Sequence, residues 1–338
     1  MDNTLINPTI HFYKSYEKNI FDTREALFND LSRISCEFGN EARLILEAKL
    51  KSNNNIPLLG ELFPWIIKDL INGDSKMTHS ISVGWLAIYL YTLFLDEYLD
   101  NPKQLQPEKF LTGSLLASTG LLRISRFTNN TPYEKYIEDA LSFSAKNQRL
   151  DLLFQSEKVD LNFKESYSEG KNYVILACAG ALAAKNSKHS DFIIQFTEKL
   201  LLSLQYLDDI CDYQKDFIEK NYTVLLSDTF QNRPDFTTTL KTYSNRELLS
   251  ELIKTGSLRR VLNKLITLLN QSIILINNQS KIDKKASVEL FYALKFNCLA
   301  LSNYLEENQD QFALLPNKSQ VVILDKVEKY ITIIAQSS

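Results

Sequence analysis

The stretch Phe192-Ile193-Ile194-Gln195-Phe196-Thr197-Glu198-Lys199-Leu200-Leu201-Leu202-Ser203-Leu204-Gln205-Tyr206-Leu207-Asp208-Asp209-Ile210-Cys211-Asp212-Tyr213-Gln214-Lys215-Asp216 decides the fold class. Phe192, Phe196, Leu200, Ser203, Leu207 and Ile210 recur in steps of three and four with only Ser203 polar, which is the period of one helix face. At the carboxyl end Asp208, Asp212 and Asp216 repeat every four residues, and Gln205 and Leu201 continue the stripe upstream. The same periodicity extends outward over the chain. It predicts helices near 24–51, 61–72, 78–99, 107–122, 132–154, 164–185, 191–218, 257–278, 283–306 and 317–335, ten to twelve in all. Punctuation between them is sparse, as in Asn72-Gly73-Asp74 and Asn129-Asn130-Thr131-Pro132, with Ser190-Asp191 and Thr131-Pro132 as cap signals. Several helices exceed twenty residues, so the expected architecture is all-α: a single large antiparallel helical bundle over residues 1–338.

Composition supports this. The 338 residues include only 9 glycines, against a usual share of about 7%. There is no GxGxxG and no GxxxxGK[ST], so phosphate-cradling glycine loops are absent from the sequence. Sandwiches, barrels and propellers need far more glycine-rich turns. A net charge of −3 leaves no nucleic-acid footprint. Cys36, Cys178, Cys211 and Cys298 form no CxxC pair and read as reduced thiols. Met1-Asp2-Asn3-Thr4 does not resemble a signal peptide, and the longest apolar run, Val83 to Leu95, is too short for a transmembrane segment. A cytoplasmic protein is the expectation.

A second acidic cluster, Leu95-Asp96-Glu97-Tyr98-Leu99-Asp100, also ends a strongly apolar helix. Asp96 and Asp100 share a face about 6 Å apart along the axis, with Tyr89 and Trp85 on that face upstream. Like charges at this spacing destabilise a helix by a few tenths of a kcal/mol per pair, and acids at a carboxyl end oppose the macrodipole. One DxxxD is ordinary on a solvated face. Two, each ending an apolar helix, call for a counter-charge, and carboxylate oxygens suit Mg²⁺ shared with a diphosphate.

These residues resemble the class I isoprenoid synthases, the trans-prenyl diphosphate synthases and related terpene cyclases. Asp96-Glu97-Tyr98-Leu99-Asp100 is similar to the family's first motif DDxxD, and Gln205 to Asp212 to the second, QxxDDxxD. Between them Gln148-Arg149-Leu150-Asp151-Leu152 is similar to GQxxDL, and Lys171-Asn172 falls where a Lys-Thr pair is expected. Lys220-Asn221-Tyr222-Thr223-Val224-Leu225-Leu226 resembles GKxTxPLL, so five ordered elements span about half the chain. The resemblance implies a bundle with a central active-site cavity. It implies three Mg²⁺ ions, with Mn²⁺ as a substitute, held by Asp96 and Asp100 on one side and by Asp208, Asp212 and Asp216 (or Asp209) on the other. It implies an allylic prenyl diphosphate as substrate, contacted by Lys171, Lys215, Lys220, Arg149, Gln205 and Tyr222, with Trp85 and Tyr89 as cavity wall.

The chain departs from the family in one informative place. Chain-elongating synthases carry Gly-Lys-Arg-x-x-Arg-Pro, which grips the diphosphate of isopentenyl diphosphate. The corresponding Leu59-Gly60-Glu61-Leu62-Phe63-Pro64-Trp65 keeps Gly and Pro without a basic residue, and Glu61 would repel an anion. The Arg-Arg-Gly after the first motif is missing too. This favours a Mg²⁺-dependent class I terpene synthase that cyclises or rearranges one allylic cation. The alternatives are a prenyl diphosphate synthase, a head-to-head enzyme of the squalene or phytoene type, and a non-catalytic regulatory subunit of a prenyl synthase. Residues 283–306 are candidates for pocket wall or a homodimer interface.

Overall fold

The computed structural model describes residues 8–53, 58–100, 107–142, 145–146, 174–219, 223–230, 243–279 and 285–337. These residues are predominantly helical, without a strand among them, as the periodicity requires. In chain order the helices are α1 (Pro8–Ser32), α2 (Cys36–Asn53), α3 (Phe63–Ile71), α4 (Ser75–Asp100), α5 (Pro107–Thr128), α6 (Ile175–Lys185), α7 (Ser190–Cys211), α8 (Tyr213–Glu219), α9 (Val224–Phe230), α10 (Asn245–Lys254), α11 (Ser257–Asn278), α12 (Lys285–Phe312) and α13 (Asn317–Ser337). A π-helical turn, Leu58–Leu62, precedes α3, and residues 135–142 are also helical.

Contacts divide the chain into two compact units. The first comprises Met1–Ser142, Val174–Thr197 and Asn278–Leu290; the second comprises Phe143–Tyr173, Glu198–Asn277 and Phe291–Ser338. Helices α7 and α12 begin in the first and end in the second.

In the first unit the helix expected over 24–51 is two helices. Ile34 and Ser35 both donate their N–H to the Leu31 carbonyl, ending α1, and the Ser35 hydroxyl accepts from the Glu37 N–H, starting α2. Asn72, in the left-handed conformation with φ of 50°, closes α3, and the Gly73 N–H reaches back to the Lys68 carbonyl at 2.8 Å. Asp74 then caps α4, its carboxylate accepting from the Met77 N–H at 2.6 Å. Leu27, Phe28 and Leu31 of α1, Ala42 and Leu46 of α2, Val83, Leu86, Ala87 and Leu90 of α4 and Leu116 of α5 form one buried cluster. Each large member contributes about 1.5–3 kcal/mol on burial. Helices α4 and α5 meet at Gly84 and Gly120: a Cβ on Gly120 would lie 2.9 Å from the Gly84 carbonyl oxygen and from the Ile88 nitrogen. Two of the few glycines thus serve helix packing.

Helix α4 is longer than its apolar run implies. Ser75–Leu95 is long and apolar enough to cross a membrane by length and composition, but 61% of that window is buried within the protein. Its apolarity is accounted for by the core it shares with α1, α2 and α5.

In the second unit α11 buries one face, whose Leu258, Val261, Leu262, Leu265, Leu269 and Ile276 follow the three-four spacing. Ser244 and Glu247 form a capping box at the start of α10. Phe217, Phe230 and Tyr243 pack as an aromatic trio with centroids 6.0–6.5 Å apart. Arg260 ties α11 to α9 through Asp228 at 2.8 Å.

Candidate functional site

The apolar face of α7 ends in the acidic stretch, and the helical hydrogen bonds do not stop there. The Asp212 N–H donates to the Asp208 carbonyl at 2.8 Å and the Asp216 N–H to the Asp212 carbonyl at 2.9 Å, carrying the turn through the bend into α8. Asp208, Asp212 and Asp216 therefore form one row, rising about 6 Å per step. Asp208 and Asp212 are exposed and Asp216 is half-buried. Lys215, next to this row, is exposed and pairs with Glu219 at 3.9 Å.

The row Leu201, Gln205, Asp209 turns the other way, into the core. Gln205 is 7% exposed and Asp209 is 1% exposed. The Gln205 Nε2 donates to Asp209 Oδ1 at 2.9 Å, and the Val224 N–H donates to Asp209 Oδ2 at 2.9 Å. Gln205 was expected on the Asp208 stripe as a diphosphate contact. It lies instead on the buried row, four residues before Asp209, with its amide given to that carboxylate. Asp209, the alternative metal ligand, has both oxygens engaged by these N–H groups.

Cys211 stands between the two rows. Burial pushes its thiol up, and the charges of Asp212, Asp208 and Cys298 push in the same direction. Tyr213 is raised to about 12, first by burial and then by Glu328, against a hydrogen bond from Gln214.

In the first unit the segment expected to lack any cation proves to be neutralised from elsewhere. Glu61 is buried, and Arg24 of α1 grips it with two bonds, Nε to Oε1 at 2.5 Å and Nη2 to Oε2 at 2.6 Å. Their side chains are 20% and 2% exposed. Burial opposes the Arg24 charge, but the Glu61 bonds outweigh it and the net shift is upward. Gly60 is required beside this pair: a Cβ there would lie 2.2 Å from Cε1 of Tyr89. Tyr89 is half-buried and Trp85 is 1% exposed, their rings 6.4 Å apart. Sequence reasoning missed Arg24, which lies 37 residues before its partner and carries no motif.

The backbone of α4 extends through Asp100, so Asp96 and Asp100 sit on its last turns, but their side chains lie outside the described residues. Arg149, Lys171, Lys220 and Tyr222 also lie outside them. Among the described residues no group of three or more His, Cys, Asp or Glu is placed to hold a metal. Mg²⁺ asks for less, one or two protein carboxylates with water and phosphate oxygens, and Asp208 and Asp212 are exposed carboxylates of one row.

No family model matches the chain, and no curated protein matches it in sequence. Solved structures do match. A polyprenyl synthase from Caulobacter crescentus CB15, complexed with calcium and isoprenyl diphosphate, aligns at a TM-score of 0.67 and 14% identity over 85% of this chain and 97% of that one. A polyprenyl synthase from Roseobacter denitrificans gives 0.65 and 16% over 85% and 98%. A geranylgeranyl pyrophosphate synthase from Lactobacillus brevis gives 0.63 and 13% over 85% and 97%. The chain therefore has the all-α fold of the isoprenoid synthases, with prenyl diphosphate synthases as its structural neighbours.

Proposed function

We propose that the chain is a Mg²⁺-dependent prenyltransferase of the prenyl diphosphate synthase kind, acting on an allylic prenyl diphosphate. The outward row Asp208, Asp212, Asp216 at the end of α7 carries this reading, on a fold shared with synthases of that substrate class. Asp208 and Asp212, with Asp216, are assigned to Mg²⁺, as are Asp96 and Asp100. Bound Mg²⁺ would neutralise the charge that develops on a departing diphosphate. Lys171, Lys220, Arg149 and Tyr222 are assigned to the diphosphate. Lys215 joins them because its exposed pair with Glu219 holds it only weakly. Trp85 and Tyr89 are assigned to the wall around the hydrocarbon chain, where aromatic faces stabilise cations.

The Arg24–Glu61 pair favours a second reading, a terpene synthase working on one substrate. A neutral, buried ion pair occupies the segment where chain-elongating enzymes carry cations for a second diphosphate. The test incubates purified protein and Mg²⁺ with geranyl, farnesyl or geranylgeranyl diphosphate, with and without isopentenyl diphosphate. A longer diphosphate that forms only with isopentenyl diphosphate supports the prenyltransferase. A hydrocarbon or alcohol from one substrate supports the cyclase. Diphosphate release by the Asp208→Ala variant at the unmodified rate refutes both.

A further inference from the structure

We propose that Asp209 is a positioning residue, whose buried carboxylate locks the last turn of α7 to the first residue of α9 and so holds Asp208 and Asp212 on the outer face. The inference rests on the functional reading above and extends it to a residue that touches neither metal nor substrate.

Neighbours on a helix point about 100° apart, so when Asp209 faces inward Asp208 faces elsewhere. The inward direction is fixed by two bonds of 2.9 Å, from the Gln205 amide on the same helix and from the Val224 N–H. Val224 opens α9, and the first N–H groups of a helix have no partner within it. Thr223 supplies a second cap, its hydroxyl accepting from the Leu226 N–H at 3.3 Å. Asp209 thus joins two points fifteen residues apart, on either side of α8, which carries Asp216.

The choice of residue also argues for a specific role. Burying a carboxylate is costly unless each oxygen finds a donor, and here two N–H groups aim at the two oxygens. Asparagine, almost the same shape, offers one acceptor and one donor, so it can serve the Val224 N–H only if the Gln205 amide turns over to accept from its NH₂. Only a carboxylate accepts both. If packing alone were served, an apolar side chain on the Leu201 row would fill the position without this requirement. The position keeps a charged side chain at 1% exposure next to an exposed one, and the turn that orients the first orients the second.

The experiment uses the full chain and three variants, Asp209→Asn, Asp209→Ala and Gln205→Ala. Mn²⁺ affinity is followed by paramagnetic resonance, Mg²⁺ dependence by diphosphate release, and the pin itself by amide exchange across Val224–Phe230. Asp209→Asn, whose NH₂ a turned Gln205 amide can meet, should change these quantities less than Asp209→Ala, which has no acceptor and is expected to speed exchange at the start of α9. The alanine variant should weaken Mn²⁺ binding and raise half-saturating Mg²⁺ by about tenfold or more, the scale set by residues that orient metal ligands. Saturating Mg²⁺ should restore most of the rate, a rescue that a general folding defect does not show. Gln205→Ala, which leaves the Val224 bond in place, should move the same quantities less. Should both Asp209 variants fail to fold, Gln205→Ala alone decides. The proposal is overturned if exchange changes while both metal measures stay put, or if the rate falls equally at every Mg²⁺ concentration. If the unmodified chain neither binds Mn²⁺ nor releases diphosphate, the functional reading fails and this inference with it. If it binds Mn²⁺ without turnover, the metal-binding and exchange measurements still decide the role of Asp209.

Discussion

Replacing Arg24 with methionine is the most informative single perturbation of the first unit. The substitution keeps the apolar stem and removes the guanidinium, leaving Glu61 with its side chain 2% exposed and its two bonds of 2.5 and 2.6 Å gone. Breaking a buried pair from one side costs about 3–5 kcal/mol, because the remaining charge has lost both water and partner. Arg24 is itself 20% exposed, so water can reach part of the vacated space and the lower end applies, about 3 kcal/mol. At roughly 2 °C per kcal/mol for a chain of this size, Tm should fall by about 6 °C in thermal scans by circular dichroism. The double variant Arg24→Met with Glu61→Leu removes both charges and should recover most of the loss, since an apolar pair can replace a buried ion pair at little cost. A single variant costing under about 1 kcal/mol, or a double variant no better than the single, would refute the assignment of a compensated buried charge. A different substitution at the same pair bears on function. If the pair shuts out a second diphosphate, Glu61→Lys should lower the KM for isopentenyl diphosphate.

Three further outcomes follow from packing and burial. Gly120→Ala should cost about 2–3 kcal/mol in urea unfolding, because the new Cβ meets backbone atoms of α4 at 2.9 Å that cannot rotate away; a loss under about 0.5 kcal/mol would show that α4 and α5 do not approach so closely. Thiol labelling at pH 8 should find exposed Cys36 fast and buried Cys178 and Cys298 inert until the protein unfolds. Burial raises the Cys298 thiol to about 12. Above the unfolded value near 8.5 the unfolded chain loses this proton while the folded chain keeps it, so stability falls as pH rises from there through the folded value. Removing that thiol with Cys298→Ala should flatten the alkaline decline in Tm, and an unchanged slope would count against it.

The helix periods were legible because a helix buried on one side writes its face into the sequence. Ser257–Asn278 and Phe63–Ile71 fall where the spacing places them. The capping box Ser244-Asn245-Arg246-Glu247 ahead of Leu248 and Leu249 was also readable, yet α10 was not among the expected helices. Gln205 shows a subtler failure. Residues at i, i+3 and i, i+4 are both neighbours on a helix, so Gln205 could be grouped with Asp208 or with Asp209. The deciding signal was the apolar Leu201 one turn earlier, which places the row 201–205–209 in the core. No such signal exists for Arg24, because a partner 37 residues away is chosen by tertiary packing alone. Its presence changes the physical argument about the second substrate. The sequence suggests that Glu61 repels a diphosphate, but an ion pair gripped at 2.5 and 2.6 Å is neutral and repels little. On the one-substrate reading, what would disfavour a second anion is that Arg24 has already given Nε and Nη2 to Glu61. A diphosphate would have to break that pair and leave the carboxylate buried beside it. On the one-substrate reading, the barrier to a second diphosphate would be the cost of separating an ion pair, which point substitutions can measure.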